Sequence, residues 1–379
     1  MLAGLLVVGC GGPRDPAGFA WTGSYETIDG TAVIQNEGPM VAAGDLGLRL
    51  LWRTPPRPVD LNDTTWESPS EIRATATGIY VLDPPAGRVT ALNWTGAVER
   101  RIGRRGAGPG EILRPAGLLL ADGAVGVIDR GAVWWFDDTG AGMGSGRLPF
   151  AMALQGWWFG GETTVINSPG GWHLGVPGGA FRLLYPPFPP SKHAPDANPP
   201  ACLRIAVAAP VFLRTACAVL AVQVLDTAGT LLREITVRDA PQLATDDEIA
   251  RAESTMVASR LRAGVPANFA TASGAFEASR MREKPRYRTA RADLDWLVVW
   301  EQPPSAFGDG DAVLHLFTRA GVYLGPAAVA EGWIDFDLVD GRIVALGREP
   351  ETGLAYATAY AIVVPGAALA AAAAAVPAP

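Results

Sequence analysis

Residues that bind metals or act as catalytic nucleophiles are scarce in this sequence. Cysteine and histidine occur three times each in 379 residues. None of them stands at the paired spacing of a zinc site, and the chain has no Gly-x-Ser-x-Gly nucleophile elbow. The three histidines, His173, His193 and His315, lie far apart in the chain. These absences argue against a zinc hydrolase and against a serine hydrolase.

Positive charge is not in surplus, and long apolar runs are missing. Charged residues make up 18% of the chain and the formal net charge is -7. We expect no nucleic-acid partner, because there is no basic excess to neutralise phosphates. Hydrophobic residues reach 49%, which permits a large core. The apolar runs at the two ends of the sequence are too short to span a bilayer.

The first residues have the character of a lipoprotein signal peptide. Residues 1–9 form a short apolar run that ends in small residues, and Val7-Val8-Gly9-Cys10 resembles a bacterial lipobox. This resemblance implies removal of residues 1–9, lipidation of Cys10 and a linker over residues 10–30. The protein would then be exported and lipid-anchored at the outer membrane or in the periplasm, and Gly11 after the cysteine favours the outer membrane. The alternative is that the run begins a buried strand.

The other two cysteines are candidates for a disulfide. The residues between Cys202 and Cys217 form two strand-like runs on either side of Ala209-Pro210, so the cysteines are equidistant from the expected turn. Cross-strand neighbours of this kind are close enough for a disulfide. Two free buried thiols remain the alternative, because a slip of one residue would separate the side chains.

Glycine and proline are abundant, at 45 and 32 residues, and several glycines mark an internal repeat. An apolar strand is followed by Asn, Asp or Thr, by two more residues and by Gly. The repeat occurs at Asn93–Gly96, Asp137–Gly140, Asp226–Gly229 and Thr318–Gly321. This pattern predicts a β-turn in which the side chain binds the backbone and the glycine adopts positive φ. The first two glycines are 44 residues apart, a spacing typical of a four-stranded propeller blade.

These units predict an all-β chain folded as a six-bladed β-propeller over residues 31–364. The predicted blades are residues 71–103, 115–149, 150–190, 202–238, 287–325 and 331–364. The last blade lacks one strand, which we expect residues 31–35 to supply and so close the ring. A helical insertion is predicted between the fourth and fifth blades, at about 241–284, with a helix over 246–262. Residues 365–379 are predicted to be a disordered tail.

One stretch of the chain carries a family resemblance. The strand Gly78-Ile-Tyr-Val-Leu-Asp83, the strand Arg88-Val-Thr-Ala-Leu-Asn93 and the run Gly103-Arg-Arg-Gly-Ala-Gly-Pro-Gly-Glu-Ile112 follow one another. They resemble the repeat and the linker between blades of NHL-type six-bladed propellers, in particular bacterial lipoproteins that are mostly of unassigned function. The resemblance implies a propeller fold and export.

Two local patterns in this stretch have structural explanations. A phosphate-binding loop is not expected at residues 103–110, because no Gly-Lys-Ser/Thr opens a helix there and Pro109 follows at once. We interpret the glycines as a turn between blades. Asp83 and Asp129 end matching strands, and we interpret both as turn-capping groups rather than catalytic ones.

Charged residues on the predicted innermost strands are the candidates for a binding site. They are Glu71, Arg73, Arg204, Arg291, Asp293, Asp335 and Asp337. If these side chains converge on the central channel, they form a mixed-charge pocket for an anionic ligand or, through the carboxylates, for Ca²⁺. The alternative is that they only solvate a wet channel. No cofactor other than Ca²⁺ is suggested.

Three functions are compatible with these patterns. The first is a monomeric, non-catalytic binding or scaffold propeller that meets the membrane surface only through its lipid and binds an unknown ligand or protein. The second is a metal-dependent, lactonase-like hydrolase that uses the carboxylates of the channel. The third is a periplasmic sensor or peptide-binding module whose exposed Trp-rich turns, for example at Trp157-Trp158, contact a partner.

Overall fold

Antiparallel sheets built from consecutive hairpins repeat six times along the chain. This is seen in a computed structural model, which describes residues 19–42, 44–55, 66–108, 110–121, 123–149, 155–160, 163–168, 171–183, 203–208, 211–216, 218–239, 242–262, 264–279, 284, 286–301, 312–329 and 332–376. The six sheets are the blades of a β-propeller, as the sequence repeat predicted.

The blades follow one another in chain order after three N-terminal strands. The N-terminal strands are β1 (Gly23–Ile28), β2 (Thr31–Asn36) and β3 (Gly47–Arg53). Blade 1 contains β4 (Glu71–Ala74), β5 (Ile79–Asp83), β6 (Arg88–Leu92) and β7 (Val98–Ile102). Blade 2 contains β8 (Pro115–Ala121), β9 (Ala124–Asp129), β10 (Ala132–Asp137) and β11 (Gly142–Arg147). Blade 3 contains β12 (Gln155–Gly160), β13 (Thr163–Ser168), β14 (Gly171–Gly175) and β15 (Phe181–Leu183).

The remaining elements complete the ring. Blade 4 contains β16 (Leu203–Ala208), β17 (Val211–Ala216), β18 (Ala221–Leu225) and β19 (Leu231–Val237). The helices α1 (Asp246–Arg262) and α2 (Ala267–Ser279) follow. Blade 5 contains β20 (Tyr287–Ala292), β21 (Trp296–Glu301), β22 (Val313–Thr318) and β23 (Tyr323–Ala328). Blade 6 contains β24 (Trp333–Val339), β25 (Arg342–Arg348) and β26 (Ala355–Val363), and helix α3 (Gly366–Ala375) comes last.

The second strand is mostly apolar in blades 1, 2, 5 and 6, because neighbouring blades cover both of its faces. Every residue of β5 is buried, and so are nearly all residues of β9 and β25. The outer strands are less buried, since β11 exposes nearly all of its residues and β7 buries only Ile102. Large rings fill the gaps between adjacent sheets, among them the fully buried Trp300 and Phe336, whose centroids lie 5.8 Å apart.

The repeated turns form as the sequence predicted, at the face that we call the lower face. The Asn93 carboxamide oxygen accepts hydrogen bonds from the backbone N–H groups of Thr95 and Ala97 at 2.9 and 3.0 Å. Asp137 binds its own turn in the same way, and so does Asp226. The glycines of these turns have positive φ, for example +83° at Gly96.

At the opposite face, which we call the upper face, the innermost strands begin and the second strands end. The carboxylate of Asp83 accepts hydrogen bonds from the N–H groups of Glu67 and Ser68 at 2.7 and 3.0 Å. Asp129 binds the segment before β8 in the same manner. Both aspartates therefore fix the segment that leads into the first strand of their own blade, which agrees with a capping role.

The strand that closes the ring is β3, not residues 31–35. Strand β3 pairs antiparallel with β26 and supplies the fourth strand of blade 6. Residues 31–36 do form a strand, β2, but this strand pairs parallel with β19 on the outside of blade 4. The predicted linker over residues 10–30 is also corrected, because β1 lies within it and pairs with β2. Sequence pattern indicated a strand, but the choice of partner depends on tertiary contacts.

The C-terminal segment is a packed helix rather than a disordered tail over residues 365–376. In α3, Ala368 and Ala372 are fully buried, and they join the same hydrophobic cluster as the core of blade 5. Alanines give no apolar periodicity that distinguishes a packed face, but their small side chains allow the helix to approach the sheets closely.

Candidate functional site

The innermost strands surround the axis of the propeller. Strand β4 contacts β8 and β24, strand β12 contacts β8 and β16, and strand β20 contacts β16 and β24. Successive residues of a strand point to opposite sides, so residues two apart face the same way. Glu71 and Arg73 on β4 have this spacing, and so do Asp335 and Asp337 on β24.

Five of the seven predicted channel residues form one charged cluster. Glu71, Arg73, Arg291, Asp335 and Asp337 are its members, and we call it the axial cluster. Arg73 pairs with Glu71 on its own strand, and its Nη1 atom lies 2.8 Å from Asp335 Oδ2. Arg291 lies 3.3 Å from Asp335 Oδ1 and 3.5 Å from Asp337 Oδ1. The cluster therefore joins blades 5, 6 and 1.

The carboxylates of the axial cluster also bind the backbone of the next blade. Asp335 Oδ2 accepts a hydrogen bond from Ile72 N at 3.1 Å, and Asp337 Oδ2 accepts one from Ala74 N at 2.9 Å. Glu71 Oε2 accepts one from Leu118 N on β8 at 3.0 Å. These N–H groups lie at the inner edge of a blade, where no further strand pairs with them. The carboxylates satisfy them and connect four blades.

Burial and charge balance set the protonation of the axial cluster. Two guanidinium groups face three carboxyl groups, so a single bound proton makes the cluster neutral. Burial, assisted by the nearby charge of Asp335 and opposed by Arg73, raises the pKa of Glu71 to about 7. Burial also raises the pKa of Asp337, although both arginines oppose this. Burial therefore favours the protonated form at Glu71 and at Asp337.

The other two predicted channel residues are Asp293 and Arg204. Asp293 follows the end of β20, where its carboxylate accepts hydrogen bonds from Trp296 N at 2.8 Å and from Gly341 N at 2.8 Å. It fixes a turn at the lower face, so its assignment to the channel was wrong. Arg204 lies on the innermost strand β16, but its side chain is outside the described residues.

Several other predicted positions can be placed only in part. Cys10, Cys202 and Cys217 lie outside the described residues, so lipidation and the disulfide stay predictions. Trp157 and Trp158 belong to the innermost strand β12, not to a turn as the sensor hypothesis assumed. In the glycine-rich linker between β7 and β8, the backbone N–H of Gly108 donates a hydrogen bond to Glu111 Oε2 of the same linker at 2.7 Å.

A second polar network, in blade 5, was missed by the sequence analysis. His315 Nε2 lies 2.7 Å from Glu301 Oε2, and His315 Nδ1 lies 2.8 Å from the Tyr323 hydroxyl. Arg286 bridges Glu301 at 2.6 Å and Asp239 at 2.7 Å. Although burial opposes it, the hydrogen bonds from His315 and Arg286 lower the pKa of Glu301. The available signal was a histidine within the apolar run Val313-Leu-His-Leu-Phe317.

Both ring nitrogens of His315 are occupied, which argues against a catalytic histidine. Glu301 ends β21 as Asp83 ends β5, and its carboxylate likewise fixes the residue before the innermost strand, here through the side chain of Arg286. The network is therefore the counterpart in blade 5 of the capping aspartates.

We tested whether the described residues fit a metal ion. No group of three or more His, Cys, Asp or Glu side chains within the described part of the chain has an arrangement that could hold one. In the axial cluster, Asp335 Oδ2 is already shared by Arg73 and the backbone N–H of Ile72. The carboxylates of the cluster are thus directed at arginines and backbone donors rather than at one common point.

Comparison with known proteins supports the fold. No protein-family model matches the chain, and no curated protein matches it. A solved structure of a Bacteroides fragilis protein, described as an inferred exported protein, has 12% identity and a TM-score of 0.53, over 87% of this chain and 99% of that one. A DUF4221 family member from Bacteroides vulgatus has 9% identity and a TM-score of 0.55, over 85% of this chain and 99% of that one. With its six sheets around one axis, this chain is a six-bladed β-propeller.

Proposed function

We propose that this protein is an exported binding or scaffold propeller without catalytic activity, of the NHL type, held at the cell envelope by a lipid on Cys10. The proposal is supported mainly by the way in which the charged groups of the axial cluster bind one another and the backbone. Its arginines, carboxylates and neighbouring backbone N–H groups form ion pairs and hydrogen bonds with one another across four blades. A general acid or base must be able to form a hydrogen bond with its substrate. The carboxylates of the axial cluster instead form their hydrogen bonds with neighbouring blades and so hold the ring together.

The alternative of a Ca²⁺-dependent lactonase is less well supported. Ca²⁺ takes 6–8 oxygen ligands around one point. Placing the ion beside Asp335 and Asp337 would require both carboxylates to leave Arg73, Arg291 and the N–H groups of β4. We therefore retain the binding function and treat Ca²⁺ as an outcome to be tested.

Two observations support the location in this proposal. The lipobox-like sequence before Cys10 favours lipidation, and the fold neighbour from Bacteroides fragilis is described as exported. Among the described residues, no helix is long and apolar enough to cross a membrane. We interpret α1 and α2 as an insertion between blades 4 and 5, and the partner as a ligand or protein rather than a nucleic acid.

The lipid anchor is tested by labelling bacteria that express the full-length protein with an alkyne-bearing fatty acid. We expect label on the wild-type protein and recovery in the membrane fraction, with both lost in Cys10→Ala. Cys217→Ala serves as the matched control and keeps the label. An unlabelled wild-type protein in the soluble fraction would overturn the anchor.

The absence of catalysis is tested with the purified protein against a panel of lactones and sugar esters, with metal analysis and thermal unfolding before and after chelation. We expect no turnover, and a midpoint of unfolding that the chelator leaves unchanged. Turnover that disappears in Asp335→Asn, together with bound Ca²⁺ that raises the unfolding midpoint, would establish the lactonase alternative instead.

A further inference from the structure

The turn that joins α1 and α2 exposes large apolar side chains. Leu261 is 47% exposed and Phe269 is 68% exposed, one at the end of α1 and the other at the start of α2. We call residues 260–262 and 264–269 the hairpin tip. Large exposed apolar side chains can mark a contact site for a membrane or another protein.

These side chains are not needed to hold the two helices together. A contact between the helices is formed farther from the tip, where Gly274 lies against Val257. A Cβ atom on Gly274 would lie 2.6 Å from Val257 Cγ2, so the helices approach closely there. Leu261 and Phe269 therefore face solvent although the helix pair has a packed core of its own.

Charge is separated along α1. The first turn is acidic, with Asp246, Asp247 and Glu248, whereas the last turn carries Arg260 and Arg262. Glu248 is neutralised at the base of the helix pair, where its carboxylate lies 2.7 Å from Lys284 Nζ. The basic end of the helix thus coincides with the exposed apolar residues of the hairpin tip.

The helix pair leaves the propeller beside the point where the N-terminal segment enters it. Gly23 at the start of β1 pairs with Asn36, and Asn36 pairs with Val237 at the end of β19. Arg238, which follows, pairs with Glu37 at 2.8 Å. Both connections therefore lie at the upper end of blade 4. The chain from Cys10 to Phe19 can reach at most about 30 Å, so a lipid on Cys10 keeps this end of blade 4 near the membrane.

We propose that the hairpin tip is a second membrane contact, which inserts Leu261 and Phe269 into the interface of an anionic lipid surface while Arg262 binds its phosphate groups. This inference rests on the proposed envelope location and deepens it. A second apolar or basic contact adds to the membrane affinity that the lipid supplies and fixes how the propeller lies on the surface. Arginine beside aromatic and aliphatic side chains suits this interface, because the guanidinium reaches the headgroups while the apolar groups lie deeper.

The test uses full-length Cys10→Ala protein, which carries no lipid, and vesicle flotation. Vesicles of phosphatidylglycerol and phosphatidylethanolamine are compared with vesicles of phosphatidylcholine. We expect binding to the anionic vesicles that weakens as salt is raised. Phe269→Asp should lower the partition coefficient roughly tenfold, because it removes an aromatic ring that would insert into the membrane and adds a charge that anionic lipids repel. Arg262→Glu should lower the partition coefficient by a similar factor.

Leu294→Asp is the matched control. Leu294 is 87% exposed, but it lies between β20 and β21 at the lower face, away from the hairpin tip. We expect this variant to float like the parent protein. All three altered residues are exposed, and the unfolding midpoint of each variant checks that the fold is unchanged.

Three outcomes would overturn the membrane contact. They are no flotation with anionic vesicles, flotation that Phe269→Asp leaves unchanged, and equal loss in Leu294→Asp. A dimer in solution that Phe269→Asp dissociates would assign the hairpin tip to a second copy of the chain. Fatty-acid labelling of the wild-type protein reports on Cys10 alone, so failure of the anchor and failure of the hairpin tip are distinguishable.

Discussion

Asn36 shows how much of this fold depends on single buried polar residues. Its carboxamide oxygen accepts hydrogen bonds from Trp21 Nε1 at 2.8 Å and from Tyr323 N at 2.9 Å. Its amide nitrogen donates to the carbonyl oxygens of Thr236 at 3.0 Å and Gly321 at 3.1 Å. The side chain is 1% exposed and links the N-terminal strands to blades 4 and 5.

Asn36→Ala is expected to lower the free energy of unfolding by roughly 3 kcal/mol, because it leaves several buried backbone groups without partners. Urea unfolding at constant pH measures this. The neighbouring Gln35→Ala is the control, since Gln35 is exposed, and we expect its effect to stay within about 0.5 kcal/mol. Equal effects of the two substitutions would contradict this role of Asn36.

At the scale of elements, the closing strand β3 packs against the turn between β6 and β7 of blade 1. Gly96 in the turn between β6 and β7 has φ of +83°, and a Cβ atom there would lie 2.6 Å from the Trp52 ring of β3. Glycine is needed at position 96 for two reasons: the positive φ of the backbone and the close approach of the Trp52 ring. The same turn of blade 5 places Gly321 against Ile235 of blade 4.

Gly96→Ala is therefore expected to destabilise the protein more than Gly30→Ala does. Gly30 has φ of +82°, but no atom lies within 4 Å of the position that a Cβ would take, so its substitution carries only the backbone cost. We expect about 1 kcal/mol for Gly30→Ala and roughly 2–3 kcal/mol for Gly96→Ala. Denaturant unfolding of both variants provides the comparison, and indistinguishable values would show that Trp52 moves aside freely.

Local patterns predicted the elements well, and long-range pairing did not follow from them. The turn at Asn93 and the cap at Asp129 were predictable because a side chain there binds backbone only a few residues away or within its own blade. Strand β2 was recognised as a strand, yet nothing in its residues distinguishes β19 from β26 as its partner. Helix α3 was missed since its buried residues are alanines.

At the scale of the whole molecule, the axial cluster couples ring stability to pH. Unfolded, the carboxyl group of Glu71 returns to its ordinary pKa of 4.5, whereas burial holds it at about 7 in the folded protein. Between these values the folded protein binds more protons than the unfolded chain does. The contribution of Glu71 to stability is therefore full below pH 4.5 and declines as the pH rises to about 7.

Glu71→Gln tests this coupling. We expect the free energy of unfolding of the wild type, measured relative to the variant, to fall by about 3 kcal/mol between pH 4.5 and pH 7, because glutamine does not titrate. Urea unfolding at half-unit pH intervals gives the difference curve. A flat curve, or one that rises with pH, would mean that Glu71 is ionised in the folded ring.

The sequence predicted most members of the axial cluster but not their role. Glu71, Arg73 and Arg291 were found because charged residues on innermost strands are unusual among apolar neighbours. Asp293 was assigned wrongly, since it lies just beyond the end of β20. The pairing of Asp335 with the backbone of β4 depends on how blades 6 and 1 meet, which no local pattern records.

The pairing of β3 with β26 has a consequence for the order of folding. Trp52 and Thr358, which are joined by a hydrogen bond in this sheet, are 306 residues apart in the chain. Contacts of such separation form late, because the loop between them must first be organised. Blades 1 to 5 can assemble during synthesis, but blade 6 is complete only after β26 (Ala355–Val363) has been made. A chain that lacks β26 would therefore leave the backbone of β3 unpaired and open to pairing with other chains. The formation of β26 is thus the step that separates folding from aggregation.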